Sequence, residues 1–158
     1  MVSEQDIWCA LQEVADPEIP VVNIVELGVV QEVRLEGDRA EVVLIPTFSG
    51  CPAMELMRSE VENRLRQLGL SEVVVRLSLS PPWSTDRIAP AAREKMKRWG
   101  LAPPSDWGPE QDLLQPVTCP YCGSKQTRLD SPFGPTLCRA LYYCDSCQQP
   151  FEKFKALK

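Results

Sequence analysis

The sequence contains no histidine among its 158 residues. This absence excludes catalytic triads and dyads that need an imidazole base, together with every histidine-ligated metal site. No apolar run approaches the roughly 20 residues that span a bilayer. The first residues, MVSEQDIW, also lack the basic and apolar regions of a signal peptide. We therefore expect a cytoplasmic protein with no membrane partner.

Signatures of nucleotide and nucleic-acid binding are missing as well. No glycine-rich dinucleotide fingerprint and no Gly-Lys-Ser/Thr phosphate loop occur in the sequence. The net charge of −5 is uneven: residues 1–80 carry 6 basic and 14 acidic side chains, and residues 81–158 carry 11 basic and 8 acidic ones. A body of charge −8 beside a tail of charge +3 argues against nucleic acid as a partner.

Cysteine, by contrast, is plentiful, with seven residues. In a chain without an export signal, cysteines more often bind metal or carry out thiol chemistry than form disulfides. Four of them form two Cys-x2-Cys pairs, Cys119 with Cys122 and Cys144 with Cys147, separated by 21 residues. Two such pairs can hold a tetrahedral structural Zn²⁺ ion, although iron would satisfy the same ligands. We interpret Cys138 as a packing or loop residue, with an exposed redox-active thiol as the alternative.

The hydrophobic pattern predicts a domain of the α+β class, in the order α-β-β-α-β-α, with helices packed on a small three-stranded sheet. The predicted elements are a helix after the N-cap Ser3, strands over 29–35 and 40–45, a helix over 52–68, a strand over 73–79 and a helix over 90–99. The proline-rich residues 101–116 predict an extended connector. The predicted organisation is therefore an α+β domain over 1–100, a linker over 101–116 and a zinc-ribbon module over 117–158, too small to fold without metal.

A second candidate site is the loop that precedes the long central helix. Pro52 fits the first helical position, which places Cys51 at the N-cap, where the helix dipole lowers a thiol pKa. We therefore expect Cys51 to be the most reactive thiol of the metal-loaded protein, ahead of Cys9 and Cys138. A soft thiolate binds iron without the help of a base, whereas hydrolysis would need one. The alternative is that Cys51 is merely a small residue in a turn.

Motifs around this loop resemble those of a known family. Asp16-Pro17-Glu18, residues 23–28 (NIVELG) and residues 47–52 (TFSGCP) resemble the metal–sulfur cluster biosynthesis (PaaD/SufT-like) family. The similarity extends through residues 81–86 (PPWSTD) and, with the four-cysteine tail, covers nearly the whole chain. Within the family it is greatest to the PaaD-like components of phenylacetyl-CoA epoxygenase systems, which act in aerobic phenylacetate degradation.

The resemblance implies an accessory, non-catalytic protein with an iron–sulfur assembly domain and a zinc ribbon. Its role would be to assist the assembly of an iron–sulfur cluster or iron centre, with oxygenase or reductase components and iron–sulfur apoproteins as protein partners. By position, Cys51 would handle iron or a transient cluster, with Asp16, Glu18 and Thr47 in the same pocket and Glu26 as a weaker member. Loop capping is the alternative for those four residues.

One thiol cannot hold a cluster alone. The maturation hypothesis therefore needs a homodimer, a partner's thiol or a small external thiol to complete the ligands. A catalytic oxygenase subunit is disfavoured, because di-iron carboxylate sites use Glu-x-x-His motifs on bundle helices. A ribbon-type adaptor for protein binding, or a structural subunit of the oxygenase without metal delivery, is the competing hypothesis.

Overall fold

The structure is a computed structural model that describes residues 1–48 and 50–157. The chain divides into two compact units, Met1–Trp83 and Ser84–Lys158. Within the described residues, no helix is long and apolar enough to cross a membrane.

The first unit contains the α+β arrangement that the sequence predicts. Its elements are α1 (Glu4–Leu11), β1 (Val30–Glu36), β2 (Arg39–Leu44), α2 (Ala53–Arg66) and β3 (Glu72–Leu77). The sheet order is β1-β2-β3, with β1 and β2 antiparallel and β2 and β3 parallel. Parallel neighbours need a crossover connection. Helix α2 supplies it, and its N-terminus therefore follows the end of β2.

Sequence periodicity accounts for the packing of both helices in this unit. Helix α1 begins with a capping box in which the Ser3 hydroxyl accepts from the Asp6 N–H and the Asp6 carboxylate accepts from the Ser3 N–H. Helix α2 buries one apolar stripe, made up of Ala53, Met54, Met57, Val61 and Leu65. Because these positions recur every three or four residues, they share the face turned towards the core.

The long connection between α1 and β1 is folded back on the end of α1. The Asp16 N–H donates to the Val22 carbonyl at 2.9 Å, and the Ile24 N–H donates to the Val14 carbonyl at 2.9 Å. Ile19, Val22 and Ile24 are all buried, so the loop contributes its own part of the core. These hydrogen bonds fix the backbone that carries the Asp16-Pro17-Glu18 motif.

The second unit contains a 3-10 turn (Thr85–Arg87), α3 (Pro90–Arg98), β4 (Leu101–Ala102), α4 (Pro109–Asp112), β5 (Thr127–Ser131), β6 (Arg139–Cys144) and β7 (Gln149–Phe154). Its sheet has the order β4-β7-β6-β5. Strands β5, β6 and β7 are antiparallel neighbours, and the short β4 is parallel to β7. The three antiparallel strands form the ribbon.

The segment predicted to be an extended connector is folded in the structure. Strand β4 joins the ribbon sheet, and Asp112 of α4 is buried, with its carboxylate accepting the Ala156 N–H at 2.9 Å. Proline excludes long regular elements from residues 101–116, but it does not prevent packing through side chains that bond to distant residues. The compact units accordingly divide at residue 83 and not at residue 100. The division predicted from the sequence, into a domain over 1–100, a linker over 101–116 and a ribbon over 117–158, stays a prediction about which parts of the chain fold separately.

Candidate functional site

The two Cys-x2-Cys pairs of the second unit come together in space. The Sγ atoms of Cys119, Cys122, Cys144 and Cys147 all lie within 4.8 Å of one another. The Sγ–Sγ distance is 3.8 Å between Cys119 and Cys147 and 3.6 Å between Cys122 and Cys144. A tetrahedron with metal–sulfur bonds of about 2.3 Å has edges of about 3.8 Å. The four thiols therefore fit one tetrahedral ion, and together they could hold a metal.

Backbone N–H groups point at one sulfur of each pair. The Tyr121 N–H donates to the Cys119 Sγ at 3.4 Å, and the Cys147 N–H donates to the Cys144 Sγ at 3.5 Å. The bond from Cys147 is the main reason why the pKa of Cys144 falls to about 7. Hydrogen bonds to the charged form stabilise a thiolate, which is the form that binds metal.

The two turns that carry these cysteines are built alike. Gly123, four residues after Cys119, has a φ of +77°, and Gln148, four residues after Cys144, has a φ of +58°. Their N–H groups donate to the Cys119 and Cys144 carbonyls, each at 2.9 Å. The left-handed residue turns the chain back directly after the second cysteine of each pair. In the first pair, the glycine at this position predicts the turn from the sequence. In the second pair, Gln148 gives no such indication.

The fifth cysteine of this unit lies outside the four-cysteine group. Cys138 is buried, and its Sγ is 3.1 Å from the Thr136 hydroxyl. This environment fits the interpretation as a packing residue better than the alternative of an exposed thiol.

The thiol of the first unit differs from the sequence prediction. Pro52 and not Cys51 occupies the N-cap position, and α2 begins at Ala53. Burial raises the pKa of the half-buried Cys51 thiol, and the hydrogen bond from the Ala53 N–H only partly opposes that effect. The prediction of a lowered pKa at the helix start is wrong, because the environment of the thiol outweighs the helix N-terminus.

Three of the predicted pocket residues act on this same thiol. The carboxylates of Glu18 and Asp16 raise the pKa of Cys51, and the Thr47 side chain hydrogen-bonds to it and lowers the pKa. Asp16 is buried, and its Oδ1 accepts the N–H groups of Glu18 at 2.7 Å and Ile19 at 2.9 Å. The Asp16 carboxylate thus caps its own loop and also places negative charge near the Cys51 thiol. Ser49, between the thiol and Thr47, lies outside the described residues.

The fourth predicted pocket residue has a local partner. The Glu26 carboxylate accepts the Asn23 N–H at 3.0 Å, and the Asn23 side chain accepts the N–H groups of Val25 at 3.0 Å and Glu26 at 2.9 Å. This reciprocal pattern closes a turn, as the capping alternative expects. A role for Glu26 at the thiol stays a prediction.

Sequence reasoning missed an apolar cavity beside one predicted site residue, Thr47. A cavity of about 140 Å³ next to Thr47 is lined by Phe48, Leu79, Pro82 and Trp83. The Trp83 Nε1 donates to the Leu27 carbonyl at 3.0 Å, which fixes the indole. The Pro81-Pro82-Trp83 motif was the available signal, since the two prolines fix their own φ angles in the segment that leads to the tryptophan.

Comparisons with known proteins match a family model to most of each unit. Residues 4–77 match the family described as iron-sulfur cluster assembly protein, and residues 108–155 match the PaaD zinc beta ribbon domain. A crystal structure titled Domain of Unknown Function DUF59, from Bacillus anthracis, aligns with a TM-score of 0.56 and 30% identity, covering 59% of this chain and 90% of that chain.

Two relatives extend the comparison. The Fe-S protein maturation auxiliary factor YitW of Bacillus subtilis strain 168 is 32% identical over 92 residues, 57% of this chain and 89% of that protein. A protein of Escherichia coli strain K12, named as a component of 1,2-phenylacetyl-CoA epoxidase, is 41% identical over 152 residues, 96% of this chain and 92% of that protein. The resemblance noted in the sequence is thereby confirmed. The chain belongs to the PaaD family, with an iron-sulfur cluster assembly domain followed by a PaaD zinc beta ribbon domain.

Proposed function

We propose that this protein is an accessory maturation factor that handles iron, or a transient iron–sulfur cluster, at Cys51. Its clients would be the metal-containing oxygenase or reductase components of phenylacetyl-CoA epoxidase, and it would take no part in the oxygenation itself. The observation that carries the proposal is a single half-buried thiol under the joint influence of the Thr47 side chain and the carboxylates of Glu18 and Asp16. The similarity over 92 residues to a protein named as an Fe-S maturation auxiliary factor supports it.

The electrostatics of the pocket suit a metal cation better than a bare thiolate. Burial first, and then the carboxylates of Glu18 and Asp16, raise the pKa of the Cys51 thiol, which favours the protonated form. The same carboxylates attract a cation, and iron accepts both soft thiolate and hard carboxylate oxygen. Iron would therefore replace the thiol proton, and its binding would release that proton to solvent.

The cargo needs ligands that this pocket lacks. Cys9, the other cysteine of the first unit, is exposed on α1. A cluster at Cys51 would therefore be completed by a second copy of the chain, by a thiol of the client apoprotein or by a small external thiol. Such shared ligation leaves the cluster readily transferred, as delivery requires.

For the four-cysteine site we propose zinc with a structural role. The residues Cys119, Cys122, Cys144 and Cys147 would hold the ion with four thiolates, which leaves no open coordination position for a substrate. The ion would supply folding free energy to the ribbon, since its strands flank the two cysteine pairs.

The proposal is tested by co-expression of the epoxidase components with wild-type protein or with Cys51→Ser. Cys9→Ser is the matched control, because it also removes a thiol from the first unit. Components matured beside Cys51→Ser should contain less iron or sulfide and show low activity, whereas those matured beside Cys9→Ser should equal the wild type. Wild-type protein added only during the assay should not restore the activity at once.

Two results would contradict this function. Components with full metal content beside Cys51→Ser would exclude a maturation role for the thiol. Fully loaded components whose activity requires intact Cys51 in every assay would place the protein in turnover, as a structural or adaptor subunit.

A further inference from the structure

A groove in the second unit has no role in either site described above. It has a volume of about 420 Å³ and lies beside the first cysteine pair. Most of its lining is aromatic or apolar, contributed by Trp99, Leu101, Tyr121, Leu141, Pro150 and Phe151. The charged lining residues, Arg139 and Glu152, form an ion pair at 2.7 Å. The groove thus has apolar walls and one pair of charged residues whose charges neutralise each other.

One wall of the groove is built by the metal-binding turn itself. The Tyr121 backbone N–H donates to the Cys119 Sγ, and the Tyr121 ring packs on the backbone of Gly100. A Cβ at position 100 would lie 3.0 Å from the ring, and Gly100 has a φ of +93°. Only glycine allows both this backbone conformation and this contact. The backbone of Tyr121 is therefore anchored at the cysteine turn, and its ring packs against Gly100.

The aromatic side chains of the groove are well exposed despite this support. Trp99 is 44% exposed and Tyr121 is 59% exposed. The Arg139 guanidinium lies 6.0 Å from the centre of the Trp99 ring. Tryptophan, tyrosine and arginine are the residue types that most often dominate the binding energy of protein interfaces. Large rigid rings that are exposed and already ordered lose little entropy when a partner covers them.

The positive charge next to the groove favours an acidic partner. Helix α3 ends immediately before Trp99, and its last turn carries Lys95, Lys97 and Arg98. Lys95 and Arg98 are exposed, whereas Lys97 lines a different cavity of this unit. Exposed cations on the helical turn that leads into an apolar groove are complementary to acidic side chains that flank an apolar anchor.

We propose that this groove docks an extended acidic segment of a partner protein, with an aromatic side chain of the segment packed against Trp99 and Tyr121. The acidic residues of that segment would face the last turn of α3. This interaction surface is independent of iron handling at Cys51, so either proposal can fail without the other.

The test measures binding of labelled octapeptides to the full-length, zinc-loaded protein by fluorescence anisotropy. The probe carries one central tryptophan between glutamates, and its counterpart carries lysines in place of the glutamates. The acidic probe should bind, and its affinity should fall as salt rises. Trp99→Ala and Tyr121→Ala should each weaken binding about 30-fold, since truncation of a hot-spot residue costs about 2 kcal/mol.

Matched variants separate the groove from the general surface. Trp107→Ala removes a tryptophan that is 51% exposed in the same unit but does not line the groove, so binding should be unchanged. Arg98→Glu should weaken binding and reduce its salt dependence, whereas Lys125→Glu, another exposed charge reversal in this unit, should do neither. Gly100→Ala, which would push the Tyr121 ring aside, should weaken binding without removing an aromatic side chain. Metal content and circular dichroism establish that each variant is folded.

Three results would overturn the proposal. Equal binding of the acidic and basic peptides would remove the charge argument. Wild-type affinity in Trp99→Ala, or in Arg98→Glu should Trp99→Ala not fold, would place the binding elsewhere. A dimer of the wild-type chain that Trp99→Ala dissociates would show that a second copy covers the groove.

Discussion

The buried ion pair between Asp112 and Lys153 should be the strongest single support of the second unit. The two side chains are 1% and 2% exposed, and they join α4 to β7. Burial raises the pKa of Asp112, but hydrogen bonds from Lys153, the Ser105 hydroxyl and the Ala156 N–H more than offset it, so the pKa lies below its ordinary value. Burial lowers the pKa of Lys153. Each charge is therefore stabilised by the other, and the loss of one partner would leave the remaining charge buried and unpaired.

The expected cost follows from this burial. Asp112→Ala leaves the Lys153 ammonium in an apolar environment, and loss of one partner of a buried pair costs about 3–5 kcal/mol. The double variant Asp112→Ala/Lys153→Met removes both charges and keeps an apolar chain on β7. It should therefore lie within about 2 kcal/mol of the wild type, because apolar replacement of a whole buried pair is often neutral.

Native-state hydrogen exchange, read by mass spectrometry on the metal-loaded protein, can measure this difference locally. Peptides from residues 149–156 should exchange a hundred-fold to a few thousand-fold faster in Asp112→Ala, which is about 3–5 kcal/mol at 1.4 kcal/mol per tenfold change. Peptides from β1 and β2 in the first unit serve as the internal control and should be unchanged. A loss below about 1 kcal/mol, or a double variant as unstable as the sum of its single changes, would refute the reasoning.

Three further predictions concern the thiols and the core. Cys119→Ser should abolish stoichiometric metal binding, measured by elemental analysis, and make the second unit sensitive to protease; a ribbon that stays resistant without metal would contradict a structural ion. Because the pKa of Cys51 is raised, iodoacetamide at pH 7 should label the exposed Cys9 before Cys51. Labelling of Cys51 should become faster at higher pH and in the variant Glu18→Gln. Faster labelling of Cys51 than of Cys9 in the wild type at pH 7 would refute the raised pKa. Leu65→Ala, in the fully buried stripe of α2, should lower the unfolding free energy by about 2–5 kcal/mol in urea titrations, and a cost near zero would show that the stripe is not core.

Local patterns in the sequence were sufficient for much of the fold. The strands and helices of the first unit occur where the apolar periodicity predicts them, with ends that differ by a few residues. The helix predicted after Ser3 runs to Leu11. The two Cys-x2-Cys pairs likewise indicated a shared metal site, because two pairs with this spacing in one small segment rarely arise by chance.

The environment of Cys51 could not be derived in the same way. Its distance from the start of α2 is a local property, and the sequence predicted it to within one residue. The sign of its pKa shift depends on burial and on carboxylates that lie more than 30 residues earlier in the chain. Only the tertiary structure brings Glu18 and Asp16 to the thiol.

The sequence by itself determined the secondary-structure order, the metal-binding residue types and, through the absence of histidine, the classes of chemistry that are excluded. Those properties depend on residue type and on spacing along the chain, which are both written in the sequence. The tertiary structure decided that residues 101–116 are packed through Asp112, that the pKa of the Cys51 thiol is raised, and that Tyr121 and Trp99 line one groove. Each of these depends on contacts between distant residues, and the free energy of such contacts is set by burial and charge that no local pattern records.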